Sequence, residues 1–230
     1  MQIIGMQKNS FIDYPAKISC VVFTPGCNMN CWYCHNREII NENEGAYDEN
    51  QVLEFLKKRA GFLDAVVVSG GEATLQPDLI EFIRKVKDMG YLVKLDTNGS
   101  NPEILNKLIK DKLVDYVAMD IKAPFEKYNI ITPINPNILE NVKKSVSILK
   151  SSNIDYEFRT TFAPNLSNED IKCLLEKIAP VKNFSLQMYM KPKFIKEDKL
   201  ENHKSEDFEE IKKFAIDGNL VQNFQNKNLS

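Results

Sequence analysis

The sequence lacks the features that draw a protein to nucleic acid or to a membrane. Its 230 residues carry a formal charge of −2 and the pI is about 5.8, so no excess of lysine and arginine attracts phosphate groups. No apolar run approaches the roughly 20 residues that span a bilayer. The first residues, MQIIGMQKNSF, also lack the charged and then apolar order of a secretion signal. We therefore expect a cytoplasmic protein whose partner is a small molecule or another protein, with no binding to nucleic acid or membrane.

Histidine and cysteine are scarce, with two and five residues. Three of the cysteines, Cys27, Cys31 and Cys34, lie within eight positions in the segment TPGCNMNCWYCHN, which is too crowded for a disulfide framework in a chain of this length. A structural zinc site normally has four protein ligands, and His35 follows Cys34 too directly to reach the same ion with ease. His203 is the only other histidine. The absence of a fourth ligand therefore needs an explanation.

The spacing C-x3-C-x2-C suits an iron–sulfur cluster of the cubane type. Each of the three thiolates would bind one iron, which leaves the fourth iron without a protein ligand and open to another molecule. Gly26 precedes the first cysteine and would allow a tight turn that directs its sulfur inward. A zinc knuckle or a group of reduced cysteines is the alternative. The two remaining cysteines, Cys20 in a predicted strand and Cys173 on a predicted helix, are interpreted as small buried hydrophobic residues.

Short runs of β-branched residues alternate with longer stretches of helical periodicity. The predicted strands are 17–24, 64–69, 91–96, 114–120, 155–162 and 184–190. The predicted helices are 49–60, 77–89, 102–110, 137–150, 168–178 and 205–216, several of which begin at a proline or at a serine or asparagine cap. Six strand–helix units predict an α/β fold with a parallel sheet. An open, partial (β/α)6 barrel of the TIM type is favoured, although the pattern also permits a flat, doubly wound sheet.

We predict a single domain over residues 1–230. The cysteine loop, 24–36, follows the first predicted strand and therefore lies at the carboxyl end of the sheet, where such folds place their chemistry. The C-terminal segment 218–230 is predicted to be either a seventh short strand or a frayed tail.

Glycines and polar residues follow the other predicted strands at the same end. GGEAT comes after the second strand, DTNG after the third and DIK after the fourth, while the fifth strand, DYEFRTTF, carries Arg159. Because the carboxyl ends of parallel strands share one rim, these segments should converge on the cysteine loop. Taken singly, each segment could be a plain turn or a surface ion pair. Their common placement beside the three cysteines predicts a ligand site.

The cysteine loop resembles the signature of radical S-adenosylmethionine (SAM) enzymes. That signature is C-x3-C-x-Φ-C, matched here by Cys27, Cys31, Tyr33 and Cys34, and residues 70–72 match the glycine–glycine–glutamate element of the same family. The resemblance implies a 4Fe-4S cluster on the three cysteines. It also implies that the amino and carboxylate groups of SAM chelate the open iron, and that Tyr33 packs near the adenine.

The resemblance gives roles to the residues at the other strand ends. Asp96 and Asp120 would accept from the ribose hydroxyls or the ammonium group of SAM, and Lys122 would meet its carboxylate. Adjacent glycines would let backbone groups approach the amino group closely. The residues expected to bind SAM are Tyr33, Gly70, Gly71, Glu72, Asp96, Asn98, Asp120, Ile121, Lys122 and Arg159.

Longer segments resemble the activases of glycyl-radical enzymes. FIDYPAKISCVVFTPGCNMNCWYCHN is similar to the start of the activating proteins of anaerobic ribonucleoside-triphosphate reductase, and SGGEATLQPDL, LDTNG and MDIKAP are also similar to the pyruvate formate-lyase activating enzyme. The similarity covers roughly the first half of the chain and thins beyond Phe125. It implies reductive cleavage of SAM to a 5′-deoxyadenosyl radical, which removes hydrogen from a backbone glycine of a partner enzyme. An external reductant such as flavodoxin or ferredoxin is implied as well.

One departure from these relatives concerns the last predicted strand. Where the pyruvate formate-lyase activase has a histidine after its sixth strand, this sequence reads LQMYMKPKF, with Gln187, Tyr189 and Lys191 available instead. This difference favours anaerobic ribonucleotide reductase as the partner, or a divergent substrate. Met188 and Met190 are interpreted as a buried face of the strand. Two alternatives stay open, namely a small-molecule radical SAM enzyme of the deazaguanine-synthase type and a non-catalytic iron–sulfur or zinc module.

Overall fold

The computed structural model describes residues 1–40, 47–195 and 201–227. In this part of the chain one sheet contains eight strands and is accompanied by eight α-helices. The strands are β1 Gly5–Ser10, β2 Ser19–Thr24, β3 Ala65–Gly70, β4 Leu92–Thr97, β5 Tyr116–Asp120, β6 Asp155–Phe162, β7 Val181–Met188 and β8 Val221–Lys227. The helices are α1 Arg37–Ile40, α2 Glu49–Arg59, α3 Leu79–Asp88, α4 Pro102–Lys110, α5 Tyr128–Ile131, α6 Pro136–Ser151, α7 Asn168–Ile178 and α8 Ser205–Asp217.

The strands lie in the sheet in the order in which they occur along the chain. β1 is antiparallel to β2, and every later neighbour, from β2 through β8, is parallel. At least one helix connects each parallel strand to the next, and among the described residues the sheet does not close on itself. The predicted α/β class and the open, partial barrel of parallel strands are thereby confirmed. The sheet extends the six predicted strands by β1 on one edge and β8 on the other.

Local sequence signals account for the accuracy of the element boundaries. The predicted ends of β6, α4 and α7 agree with the structure residue for residue, and the other predicted ends lie within three residues of the observed ones. Helix α4 begins where the Asn101 side chain accepts from the backbone N–H of Ile104, with Pro102 in the first turn. Helix α7 begins with a capping box in which Ser167 and Asp170 accept from each other's backbone N–H groups.

The C-terminal segment resolves the choice between a strand and a frayed tail in favour of the strand. Val221–Lys227 pairs in parallel with β7, and the Phe224 ring lies 5.6 Å from the Phe184 ring. Residues 228–230 lie outside the described residues. The last strand therefore extends the sheet by one strand and packs on its helix-facing side.

Two apolar layers hold the fold together. The larger one lies between the sheet and the helices, and α3 contributes to it with Leu79, Phe82, Ile83 and Val86, which the helical period places on one face. Burial of each such side chain stabilises the fold by about 1.5–3 kcal/mol. The smaller layer lies inside the barrel and is contributed by Tyr14, Val21, Ala65, Val67, Tyr116 and Ala118.

The loop between β1 and β2 closes the inside of the barrel at the end opposite the cysteine loop. Its Tyr14 ring lies 5.7 Å from the ring of Tyr116 on β5. Lys94, an inward-facing residue of β4, donates to the backbone carbonyl of Asp13 over 2.6 Å. Since one end is closed in this way, the carboxyl ends of the strands surround the open end.

Candidate active site

The cysteine loop follows β2 at the carboxyl end of the sheet, as predicted. Gly26 has φ +77°, in the left-handed region that favours glycine, so it makes the tight turn that the sequence suggested. The loop directs Cys27, Cys31 and Cys34 toward a cavity of about 250 Å³. Cys20, by contrast, is buried in β2 outside the cavity.

The ends of five other strands form the rest of the cavity wall. Of the residues predicted to bind a cluster or SAM, these line it: Cys27, Cys31, Tyr33, Cys34, Gly70, Gly71, Asp96, Asn98, Asp120, Lys122 and Arg159. Segments separated by more than 130 positions in the sequence thus meet at one rim, because their strands are parallel neighbours. Glu72 and Ile121 are the two predicted residues that do not line the cavity.

The three thiols offer a ligand set that fits an iron–sulfur cluster. Burial raises the pKa of Cys27 to about 11 and also raises the pKa of Cys34, so these groups are neutral thiols without a metal and would lose their protons on binding one. No three histidine, cysteine or acidic side chains in the described ranges converge on a single ion position. A cubane does not require such convergence, because each thiolate binds a separate iron.

Asp120 is the centre of an ion-pair network on the rim. Lys122 Nζ donates to one of its carboxylate oxygens over 2.9 Å, and Arg159 Nε donates to the other over 2.8 Å. Burial alone would raise the pKa of Asp120, but the charges of Arg159 and Lys122 outweigh burial and lower it well below its ordinary value. Burial would likewise lower the pKa of Lys122, yet Asp120 raises it well above its ordinary value. Both groups are therefore charged at neutral pH.

Asp96 lies beside this network and is bound mainly by groups that the sequence did not single out. The hydroxyl of Ser69 donates to its Oδ2 over 3.0 Å, while Lys94 Nζ lies 2.9 Å and Arg159 3.5 Å from its Oδ1. Burial favours a raised pKa, but the charges of Arg159 and Lys94 lower the pKa of Asp96 below its ordinary value. A second ionised carboxylate therefore faces the cavity.

The structure gives Glu72 a different place from the one predicted. Its side chain is fully buried, and it accepts from the backbone N–H and hydroxyl of Thr74, the hydroxyl of Thr97 over 2.7 Å and the backbone N–H of Asn98 over 2.6 Å. Burial raises the pKa of Glu72 above its ordinary value, against the effect of these donors. Its own backbone N–H donates to Gly26 over 2.8 Å. Glu72 thus ties three loops together behind the cavity wall.

Ile121, the other predicted residue outside the cavity lining, belongs to the hydrogen-bonded framework of the sheet. Its side chain is buried, its N–H donates to the carbonyl of Arg159 over 2.8 Å, and its carbonyl accepts from the hydroxyl of Thr160 over the same distance. These bonds extend the pairing of β5 with β6 by one residue. They fix the backbone from which Asp120 and Lys122 project.

The paired glycines allow two segments of backbone to approach each other closely. Gly70 has φ +117°, and a Cβ atom there would collide with the backbone N and O of Thr24. A Cβ atom on Gly71 would overlap the carbonyl of Gly26. The sequence predicted a close approach to a ligand at these positions. The structure adds a requirement that is internal to the protein, since the cysteine loop packs directly on the glycines.

Aromatic rings support the cysteine loop from its other side. Tyr33 is buried and lines the cavity, with Trp32 packed edge-on at 5.4 Å between ring centroids and Tyr189 at 6.5 Å. Tyr189 is therefore part of this aromatic group. The prediction of a buried methionine face is wrong for Met190, which is 41% exposed, whereas Met188 is half-buried.

Several cavity residues were not predicted from the sequence, although the alternation of side chains along a strand indicates two of them. Ser69 lies two positions after inward-facing Val67, and Thr161 lies two positions after Arg159. Gln187, singled out as the replacement for a histidine, also lines the cavity. Cys173, interpreted as a small buried hydrophobic residue, is only half-buried on α7. In the described parts of the chain, no helix has the length and apolar character needed to cross a membrane.

The sequence matches both the model of a protein family and individual known proteins. The model of the Radical SAM superfamily matches residues 21–178. The protein named "Putative glycyl-radical enzyme activating enzyme MJ1227" of Methanocaldococcus jannaschii is 38% identical over 195 residues, which cover 81% of this chain and 79% of that protein. The pyruvate formate-lyase-activating enzyme of Clostridium pasteurianum is 30% identical over 193 residues, with 79% of this chain and 78% of that protein covered.

A solved structure gives the same fold at low sequence identity. The crystal structure of Streptococcus suis SuiB bound to S-adenosylmethionine superimposes with a TM-score of 0.64 at 14% identity. The match covers 90% of this chain and 46% of the SuiB chain, so this chain spans about half the length of that protein.

Proposed function

Because the chain belongs to the radical SAM superfamily and is an enzyme of the activating type within it, we propose that it generates a glycyl radical on a partner enzyme. The partner we propose is anaerobic ribonucleotide reductase, and the one-electron reductant is a flavodoxin or a ferredoxin. The observation that carries the proposal is that all three thiols of the C-x3-C-x2-C loop face one cavity together with the charged rim of β4, β5 and β6.

The three thiols would hold a 4Fe-4S cluster whose fourth iron is open to SAM. When bound and reduced by one electron, such a cluster would supply the electron for reductive cleavage of SAM to methionine and a 5′-deoxyadenosyl radical, and this radical would take a hydrogen atom from the glycine of the partner. The protein would supply the alignment of SAM through the residues that line the cavity.

The rim residues match the groups of SAM by charge. Asp96 and Asp120 are ionised, so they accept from hydroxyl or ammonium groups, and Lys122 and Arg159 offer cations to the methionine carboxylate. The N–H groups of Gly70 and Gly71 are within the same wall, although that of Gly71 already donates to Thr24. We propose further that Tyr33 borders the adenine and that Asn98 completes the wall beside Cys27.

Two features support ribonucleotide reductase over pyruvate formate-lyase as the partner. Gln187 lines the cavity at the end of β7, where the pyruvate formate-lyase activase is expected to have a histidine. The segment Phe11 to Pro15, which resembles the activating proteins of the reductase, forms the loop that closes the far end of the barrel. Pyruvate formate-lyase or another glycyl-radical enzyme is the alternative.

Anaerobic reconstitution tests the chemistry. With iron and sulfide we expect about four irons per chain, and with dithionite and SAM we expect 5′-deoxyadenosine. Replacement of Cys27, Cys31 or Cys34 by alanine should abolish the binding of iron and the formation of 5′-deoxyadenosine. The matched variant Cys20→Ala should retain both properties. A protein that binds zinc alone and releases no nucleoside would contradict the proposal.

The partner is tested separately by electron paramagnetic resonance. The reduced protein is mixed with SAM and either anaerobic ribonucleotide reductase or pyruvate formate-lyase from the same cell. A glycyl-radical doublet with the reductase is the expected result. A doublet with pyruvate formate-lyase alone would assign the chain to that partner, while the SAM chemistry would stand.

A further inference from the structure

One side chain of the loop after β4 contacts a sulfur of the cysteine loop. Asn98 Nδ2 lies 3.8 Å from Cys27 Sγ and donates to it, and the backbone N–H of Met29 donates to the same sulfur over 3.4 Å. The donor on Asn98 belongs to a side chain, so it can be removed by substitution without altering the backbone.

The orientation of the Asn98 amide is determined by its other contacts. Its Oδ1 accepts from the backbone N–H of Ser100 over 2.9 Å, and a backbone N–H can only donate, so the amide cannot be reversed. Its Nδ2 must therefore face Asn28 Oδ1, 3.0 Å away, and the sulfur of Cys27. Since Glu72 also accepts the backbone N–H of Asn98, the residue is held at both backbone and side chain.

The contact lies where a dipole has a large effect. Asn98 is 6% exposed and the thiol of Cys27 lies on the inner wall of the cavity, so little water screens the interaction. Asn28 is itself fixed by donating to the Ser100 hydroxyl over 2.8 Å. The donor therefore points at the sulfur before any cofactor binds.

We propose that this N–H···S bond from Asn98 raises the reduction potential of the iron–sulfur cluster bound by Cys27. A reduced cluster carries one more negative charge than the oxidised one, so the positive end of an N–H dipole aimed at a ligand sulfur stabilises the reduced form more strongly. This role rests on the cluster assigned under the proposed function and is separate from any contact of Asn98 with SAM. It would make the first electron transfer easier.

The test compares the reduction potentials of the reconstituted full chain and three variants. The signal of the reduced cluster is followed by electron paramagnetic resonance during a redox titration. Asn98→Ala should shift the potential to a more negative value, and Asn98→Asp should shift it further, because a carboxylate replaces the donor with negative charge. Asn28→Ala is the matched control; it removes a hydrogen bond from the same network but no donor to sulfur, and should keep the wild-type potential.

Equal potentials for the wild type and Asn98→Ala would overturn the proposal, as would an Asn28→Ala shift as large as that of Asn98→Ala. If Asn98→Ala does not hold a cluster, the proposal is tested on the wild type instead. Its asparagine side chains are labelled with ¹⁵N, and the coupling of ¹⁵N to the reduced cluster is measured by electron paramagnetic resonance. A ¹⁵N coupling in the reduced cluster that persists in Asn28→Ala supports the bond, and its absence contradicts it. Production of 5′-deoxyadenosine by the same wild-type sample separates this outcome from failure of the proposed function.

Discussion

At the scale of the residue, the rim depends on Asp120 because two cations share its carboxylate. Asp120→Asn would leave Lys122 without its carboxylate partner and Arg159 with only the more distant Asp96, 3.5 Å away. Breaking a fully buried pair in this way costs about 3–5 kcal/mol. The Asp120 side chain is 27% exposed, so we expect a loss of about 2–3 kcal/mol in the free energy of unfolding, measured by denaturant titration of the metal-free protein.

A surface aspartate provides the matched control for this substitution. Asp111 lies 3.6 Å from Arg84 and 3.5 Å from Lys107, and all three side chains are exposed. Asp111→Asn should change the free energy of unfolding by less than about 1 kcal/mol. Equal losses in the two variants would show that the Asp120 network is no more important for stability than an exposed pair.

A second prediction at the scale of the residue concerns Gly71, whose nearest neighbour is the backbone of Gly26. In Gly71→Ala the new methyl group would overlap the carbonyl of Gly26, which cannot move without moving the cysteine loop. We expect less iron to be retained after anaerobic reconstitution, and a lower melting temperature. Gly61→Ala is the control, since Gly61 has φ +83° but open space around it. It should cost about 1–2 kcal/mol from the left-handed backbone alone and leave the iron content unchanged.

At the scale of the element, the sequence predicted most strands and helices, but it missed β1 at one edge of the sheet and left β8 at the other edge open between a strand and a frayed tail. The inner strands are continuous β-branched runs such as AVVVSG, which are distinctive when buried on both faces. β1 reads GMQKNS and β8 reads VQNFQNK, with polar residues that strands usually contain less often. Their strand conformation depends on pairing with β2 and β7, which is tertiary information that a local pattern does not contain.

The strand at the C-terminal edge can be tested by hydrogen exchange. Its amides pair with β7, Val221 is buried, and Lys227 Nζ donates to buried Glu157 over 2.8 Å. We expect peptides covering β8 to exchange far more slowly than an unstructured chain, although faster than peptides from β4 at the centre of the sheet. Exchange of the β8 amides at the rate of an unstructured peptide would contradict the strand and support the alternative prediction of a frayed tail.

At the scale of the whole molecule, the convergence of the site was predictable but the direction of individual side chains was not. The rim follows from parallel strands, so Cys27, Asp96 and Asp120 could be placed together from sequence alone. Glu72 turns away from the cavity because Thr74 and the loop after β4 offer it donors, and these contacts exist only in the folded chain. Lys94 was not predicted because a lysine in a strand usually faces solvent, whereas here it finds partners inside the barrel, the carbonyl of Asp13 at the closed end and the carboxylate of Asp96 at the rim.

The ionised rim should make the stability of the whole molecule fall in acid. The folded pKa values of Asp96 and Asp120 lie below their ordinary value of 3.8, so near and below that value the unfolded chain binds more protons than the folded one. Stability therefore rises with pH across this window, is complete above it, and is lost as pH falls through the lowered pKa values. Glu72 contributes a pH dependence of the opposite sign. Because its pKa is raised in the folded protein, the folded chain binds more protons than the unfolded one at pH values above 4.5, and the contribution of Glu72 to stability falls as the pH rises there. The window near and below 3.8 therefore reports these two aspartates together with the other carboxyls whose pKa is lowered, such as Glu157 and Asp170.

We expect denaturant titrations of the metal-free protein to show this loss of stability below about pH 4. The slope of unfolding free energy against pH should be smaller in Asp120→Asn, which removes one of the carboxyls with a lowered pKa and its pairing with Arg159. Asp111→Asn should keep the wild-type slope, because its exposed ion pairs contribute little to stability. If Asp120→Asn kept that slope as well, the ion pairs with Lys122 and Arg159 would not lower the pKa of Asp120 in the folded protein, and the electrostatic network assigned to the rim would be wrong.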